Sequence, residues 1–146
     1  MFKKKILIVI FCIFAIISCF AIYSFMNPKI TKENVVSVFN ENRQHFITIK
    51  DYLLTKEDNY YVDFDTYNDE IEDENVKISI RYLFNKLGYG RIYKYDDQQD
   101  HYIIFLRGGN DNDEFGVIFT INGTCEYGTA NHLIYDNWYF YWVGFV

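Results

Sequence analysis

Cys125, His132 and Asp136 supply, within one short stretch, the three groups of a nucleophilic hydrolase. A thiolate attacks, a neighbouring imidazole takes its proton, and a carboxylate orients the imidazole. The residues around them resemble no cysteine-hydrolase signature, so a small hydrolase using Cys125 and His132 stands behind a non-enzymatic reading. His45, His101 and His132 share no spacing that sets two of them on one helix face, which leaves a zinc site of the His/Cys type unsupported. Gly88-Tyr89-Gly90 lacks the third glycine of a dinucleotide loop and follows a helical pattern instead of a strand. No cofactor is expected.

Two acidic stretches offer oxygen ligands to a hard cation. Asp63 and Asp65, with Glu74 at the twelfth place, imitate a calcium loop. Tyr67 stands where a ligand is needed, and Asn68 where that loop requires its sharp-turn glycine. The plain alternative is an acidic loop leading into a helix, whose first turn favours negative charge. Asp111 and Asp113 form the second candidate; after Gly108-Gly109 the same letters also make an exposed hairpin loop.

The aromatic run Trp138-Tyr139-Phe140-Tyr141-Trp142 is the candidate binding element. Side chains alternate along a strand, so one set fills a core and the other meets a helix, a second layer or water. Exposed, Trp138 with Trp142 or Tyr139 with Tyr141 would be a sticky strip of large contact area. Full burial of Tyr139 and Tyr141 would remove that idea.

Positioning these residues requires helices first and strands after. Thr31 is a plausible N-cap for a helix over Lys32 to Lys56, in which Val35, Phe39, Phe46, Ile49 and Leu53 make one apolar stripe. A second helix is predicted over Glu74 to Leu87, with Gly88 suited to a left-handed cap. Tyr60 to Phe64 alternates weakly, as a strand would. From Gly90 the chain turns β-like: Arg91 to Tyr95, His101 to Arg107, Phe115 to Ile121, Trp138 to Val146, and a shorter run from His132 to Tyr135. Asn122-Gly123 predicts a type I′ hairpin. The expected class is therefore α+β: two helices packed on a four- to five-stranded antiparallel meander. That order is similar to small helix-plus-curved-sheet folds of the cystatin-like class, a likeness that implies fold and not function.

Before this domain, Ile6 to Met26 runs without a charge, directly after Lys3-Lys4-Lys5. As a helix it would be about 31 Å long, matching a hydrocarbon core of ~30 Å. The expectation is a single-pass signal anchor at 6–26, with 1–5 cytoplasmic and 27–146 an extracytoplasmic domain at the cytoplasmic membrane. In the alternative, a signal peptide ends at 18, and Ile16-Ile17-Ser18-Cys19 resembles a bacterial lipobox with Cys19 acylated. Phe20-Ala21-Ile22-Tyr23 stays apolar after that cysteine, which is unlike most lipoproteins. The layout resembles that of small membrane-anchored proteins and lipoproteins of low-GC Gram-positive bacteria, and carries over no functional residues.

Charge narrows the partners. Of 14 Lys and Arg three precede the apolar run, leaving 11 against 20 Asp and Glu, a formal −9 from residue 27 onward. Phosphate backbones are repelled by such a domain, so nucleic acid is excluded as an expected partner. Cys125 is the single cysteine outside the apolar run, so no intradomain disulfide is available and the core alone must hold the fold. The expected function is a non-catalytic binding or interaction domain for a protein or small ligand outside the cytoplasm. Neutralisation of a basic partner, in the manner of an immunity protein, is the alternative.

Overall fold

The computed structural model describes residues 13–18, 31–56, 59–96, 101–108, 113–123, 125 and 132–144. The chain divides into two units, Met1–Thr31 and Lys32–Val146. In the first, the described residues 13–18 are helical (α1). Among the described residues no helix is long and apolar enough to cross a membrane. This corrects the expected membrane helix over 6–26, and with it the signal-anchor and single-pass reading. Cys19, the lipobox cysteine, lies outside the described residues.

The second unit holds α2 (Lys32–Leu54), β1 (Tyr60–Asp63), α3 (Tyr67–Glu70), α4 (Glu74–Leu87), β2 (Arg91–Asp96), β3 (His101–Gly108), β4 (Asp113–Thr120), β5 (His132–Tyr135) and β6 (Trp138–Gly144). All strand pairs are antiparallel, in the order β1-β2-β3-β4-β6-β5. The expected meander of four or five strands is thus corrected to six strands, and the chain leaves strict meander order at the end. β4 needs a long partner, and its ladder runs from Asp113↔Gly144 to Phe119↔Trp138. Four-residue β5 cannot supply that length and takes the outer edge. The opposite edge, β1, is also four residues long. Short edges limit the unpaired N–H and C=O groups that would recruit another strand.

Local chemistry accounts for the helices. Val35, Phe39, Phe46, Ile49 and Leu53 are all buried on one stripe of α2. Asn42 departs from helical geometry (φ −119, ψ 16), and its Nδ2 donates to the Val38 carbonyl at 2.8 Å. Beyond the last turn, Lys94 from β2 donates its ammonium to the Lys56 carbonyl at 2.5 Å, although the lysine is 2% exposed. A cation there suits the negative end of the helix. At the start of α4 the Asp73 carboxylate accepts from the Asn75 and Val76 amides. Gly88 closes that helix with φ 73, its N–H bonded to the Leu83 carbonyl. Among the turns, Gly123 has positive φ but Asn122 does not, so the expected type I′ turn is absent. The tight two-residue hairpin falls instead at Asp136-Asn137 between β5 and β6, with Asp136 at φ 43.

Alternation along the strands splits the sheet into two faces. Ile92, Ile103, Phe105, Val117, Trp138 and Phe140 face the buried stripes of α2 and α4 in one core cluster. Ile104, Leu106, Ile118 and Tyr141 form a second cluster on the far face, to which no residue of α2, α3 or α4 belongs.

Candidate functional site

The far face carries the chemistry that the fold does not absorb. Tyr61 on β1 stands opposite Tyr93 on β2, and Tyr95 stands opposite Tyr102 on β3. Tyr93 and Tyr95 are two residues apart, hence on the same side of the strand. The four rings make one continuous ladder across three strands, with centroid separations of 5.0, 5.9 and 5.2 Å. Tyr61 is 42% exposed, and the other three are half-buried against Ile104, Leu106, Ile118 and Tyr141. Tyr93, Tyr95 and Tyr102 are therefore seated by apolar contact beneath and open to solvent in part. A seated ring loses little freedom when a ligand covers it, which is the property that makes tyrosine effective in binding surfaces.

Arg91 is pushed above its ordinary value by the hydrogen bond with Tyr93 and by nearby Tyr93, Tyr61 and Glu114. The Tyr61 phenol is pushed up by desolvation and by the Asp63 charge. It therefore stays protonated across the neutral range, with its ring electrons available to a cation.

The aromatic run of β6 is divided by its own alternation. Trp138 is buried on the helix side, within 5.0 Å of the Phe39 and Phe119 ring centroids. Tyr141 is 0% exposed within the far-face cluster, and Tyr139 is half-buried there, its hydroxyl donating to the Gly123 carbonyl at 3.0 Å. Trp142 is 39% exposed. The predicted strip of Trp138, Tyr139, Tyr141 and Trp142 is thus spread over two faces, with Tyr141 serving as floor. The ladder itself was not singled out by sequence reasoning. Its one sequence signal is Tyr93 and Tyr95 alternating with Ile92 and Lys94, which marks two tyrosines on the side away from the core.

Asp63 accepts from the Asp65 and Thr66 amides at 2.9 and 3.0 Å. Desolvation raises its pKa, but these amide bonds outweigh it and hold the carboxyl below its ordinary value. The carboxylate therefore shapes its own turn. Among the described residues no group of three His, Cys, Asp or Glu side chains could hold a metal ion. Asp111 lies outside the described residues, as does the side chain of Asp113. Cys125 packs against the far-face cluster, whereas His132 is exposed on β5 opposite Phe140, a helix-side residue. A hydrogen-bonded pair that the sequence did not reveal is Asp96 with His101, at 2.8 Å across β2 and β3.

Comparison with protein-family models, with curated proteins and with solved structures returned no match to this chain.

Proposed function

We propose that residues 32–146 form a non-catalytic binding domain that holds a basic polypeptide on the far face of its sheet. The continuous ladder of Tyr61, Tyr93, Tyr95 and Tyr102 carries this reading. Electron-rich ring faces attract Lys and Arg, by ~0.5–1 kcal/mol per exposed contact and more when water is excluded. The formal −9 from residue 27 onward adds long-range attraction for the same ligand class.

The test is titration of the full-length chain with an Arg/Lys-rich peptide and with its Glu-substituted counterpart, at low and high salt. The basic peptide binds, weakens as salt rises, and loses roughly tenfold in affinity, or ~1.4 kcal/mol, with Tyr93→Ala. Equal binding of the acidic peptide, or indifference to Tyr93→Ala in a variant that melts normally, overturns the proposal.

A further inference from the structure

The sheet ends at β1, and among the described residues no strand pairs with its outer side. Such an edge presents main-chain N–H and C=O groups to any extended segment that reaches it. We infer that the basic polypeptide proposed for the far face docks here as an added strand, an assignment that rests on that reading. Its Lys or Arg residues stand at alternate positions.

Charge selects this edge. Between Lys56 and Lys77 the sequence holds nine Asp or Glu and no Lys or Arg, against a formal −9 for everything from residue 27 onward. β1 lies in the middle of that segment and is followed by α3, which carries Asp69 and Glu70. The amide bonds that Asp63 accepts favour its charged form. Three cations border the segment: Lys56 over the Tyr52 ring, Arg91 across from Asp63, and Arg81 reaching Tyr67 and Asn68. They offset a minority of the nine acids. At the opposite edge, β5 holds no acid among its four residues, and the Tyr135 ring is already covered by Arg43 at 4.5 Å.

Strand geometry then sets the sequence pattern of the ligand. An added strand runs about 4.8 Å from β1, and side chains directly opposite one another come within ~4.5–5.5 Å. Tyr61 is the ladder ring on β1 and is 42% exposed. Every second residue of the added strand falls beside it on the far face, where a Lys or Arg meets the ring. The intervening residues fall on the helix side near Tyr60, over which Lys56 already lies at 5.9 Å. A further cation is repelled there, so basic residues alternate with uncharged ones. Four residues in β1 allow few main-chain bonds, and affinity depends on charge as well.

The experiment titrates the full-length chain with a short peptide of alternating Arg and Thr. Two copies of it are N-methylated, one at the Arg amides and one at the Thr amides. Successive amides of a strand point to opposite edges, so one copy keeps its pairing edge and the other loses it. The parent binds in the range ~10 μM to 1 mM, one methylated copy stays close to it, and the other falls tenfold or more. Hydrogen exchange slows at Tyr60–Asp63 when the parent is bound. Tyr61→Ala, which removes an exposed ring, weakens the parent severalfold. Equal binding of all three peptides overturns the inference and leaves the far-face reading in place. Absence of binding by the parent up to about 5 mM overturns both. Protection at β5 instead of β1, or self-association of the chain through β1 in sedimentation without peptide, also overturns the inference.

Discussion

The two faces of the sheet use aromatic residues in opposite ways. On the helix side, Phe46 contacts Phe39, Phe105, Tyr89 and Trp138, with ring centroids 5.1–6.2 Å apart. These rings are shielded from water and mostly carry no polar atom. On the far side every ladder ring is a tyrosine, half-buried or exposed. A phenol placed in the first setting loses its hydration: the buried Tyr89 hydroxyl has no hydrogen-bond partner among the described residues, and burial drives its pKa well above the ordinary value. In the second setting Tyr93, Tyr95 and Tyr102 pack against Ile104, Leu106, Ile118 and Tyr141 while staying partly exposed. Ring area is thus shielded from water on one side and left partly open to solvent on the other.

The largest expected effect comes from breaking the helix side at its centre. Phe46→Ala removes a fully buried ring that touches both helix and sheet, and destabilises by ~3–5 kcal/mol. Denaturant unfolding measures it. A loss below ~1 kcal/mol would mean that Phe46 is not central to the core.

That core was the legible part. The stripe on α2, the bounds of α4 and the left-handed Gly88 follow from local periodicity and capping, which act within a few residues. The far-face ladder was hidden because Tyr61 and Tyr93 meet only once β1 and β2 pair in one register. Nothing near Tyr61 announces that partner. Lys94 was equally hidden, since its burial depends on a carbonyl 38 residues away. For β6 the alternation was visible, but which set of rings would face the helices was settled only by the β4 pairing. In the apolar run 6–26 the hydropathy was plain, but among the described residues no helix is long and apolar enough to cross a membrane.

A second prediction tests how tightly the far face is built. Gly116 lies between Leu106 and Tyr141 in register, where an added Cβ would fall on the Phe105 carbonyl oxygen and 3.1 Å from the Tyr141 ring. Gly116→Ala therefore overpacks backbone against backbone and costs about 1–3 kcal/mol. If melting shows no loss, β3 and β4 can separate without penalty, and the floor under the ladder is looser than the geometry implies.

The ladder should respond in the reverse manner. Tyr93→Ala removes a half-buried ring and costs stability of only ~1 kcal/mol, well below Phe46→Ala. Tyr93→Phe keeps the ring and deletes its hydrogen bond with Arg91, and shifts stability by a few tenths of a kcal/mol. If cation–π attraction supplies the binding, Tyr93→Phe retains most affinity for a basic peptide while Tyr93→Ala loses it. Equal loss in both variants would assign the role to the hydroxyl.

The smallest expected effect lies at the rim of the helix side, where Asp96 faces His101. The hydrogen bond from His101, aided by Lys94 at 3.3 Å, holds the Asp96 carboxyl below its ordinary value of 3.8 despite some desolvation. A group whose folded-state pKa is depressed contributes stability that is fully present above its unfolded value and is lost as pH falls through the folded one. Stability should therefore decline on acidification below about pH 4 by a small increment that Asp96→Asn abolishes. Asp96 is partly exposed and screened, so only the slope of stability against pH between about 2 and 4 reports it. An unchanged slope in Asp96→Asn would show that the pair joins the ends of β2 and β3 without adding charge-dependent stability, and that acid sensitivity arises elsewhere among the carboxylates.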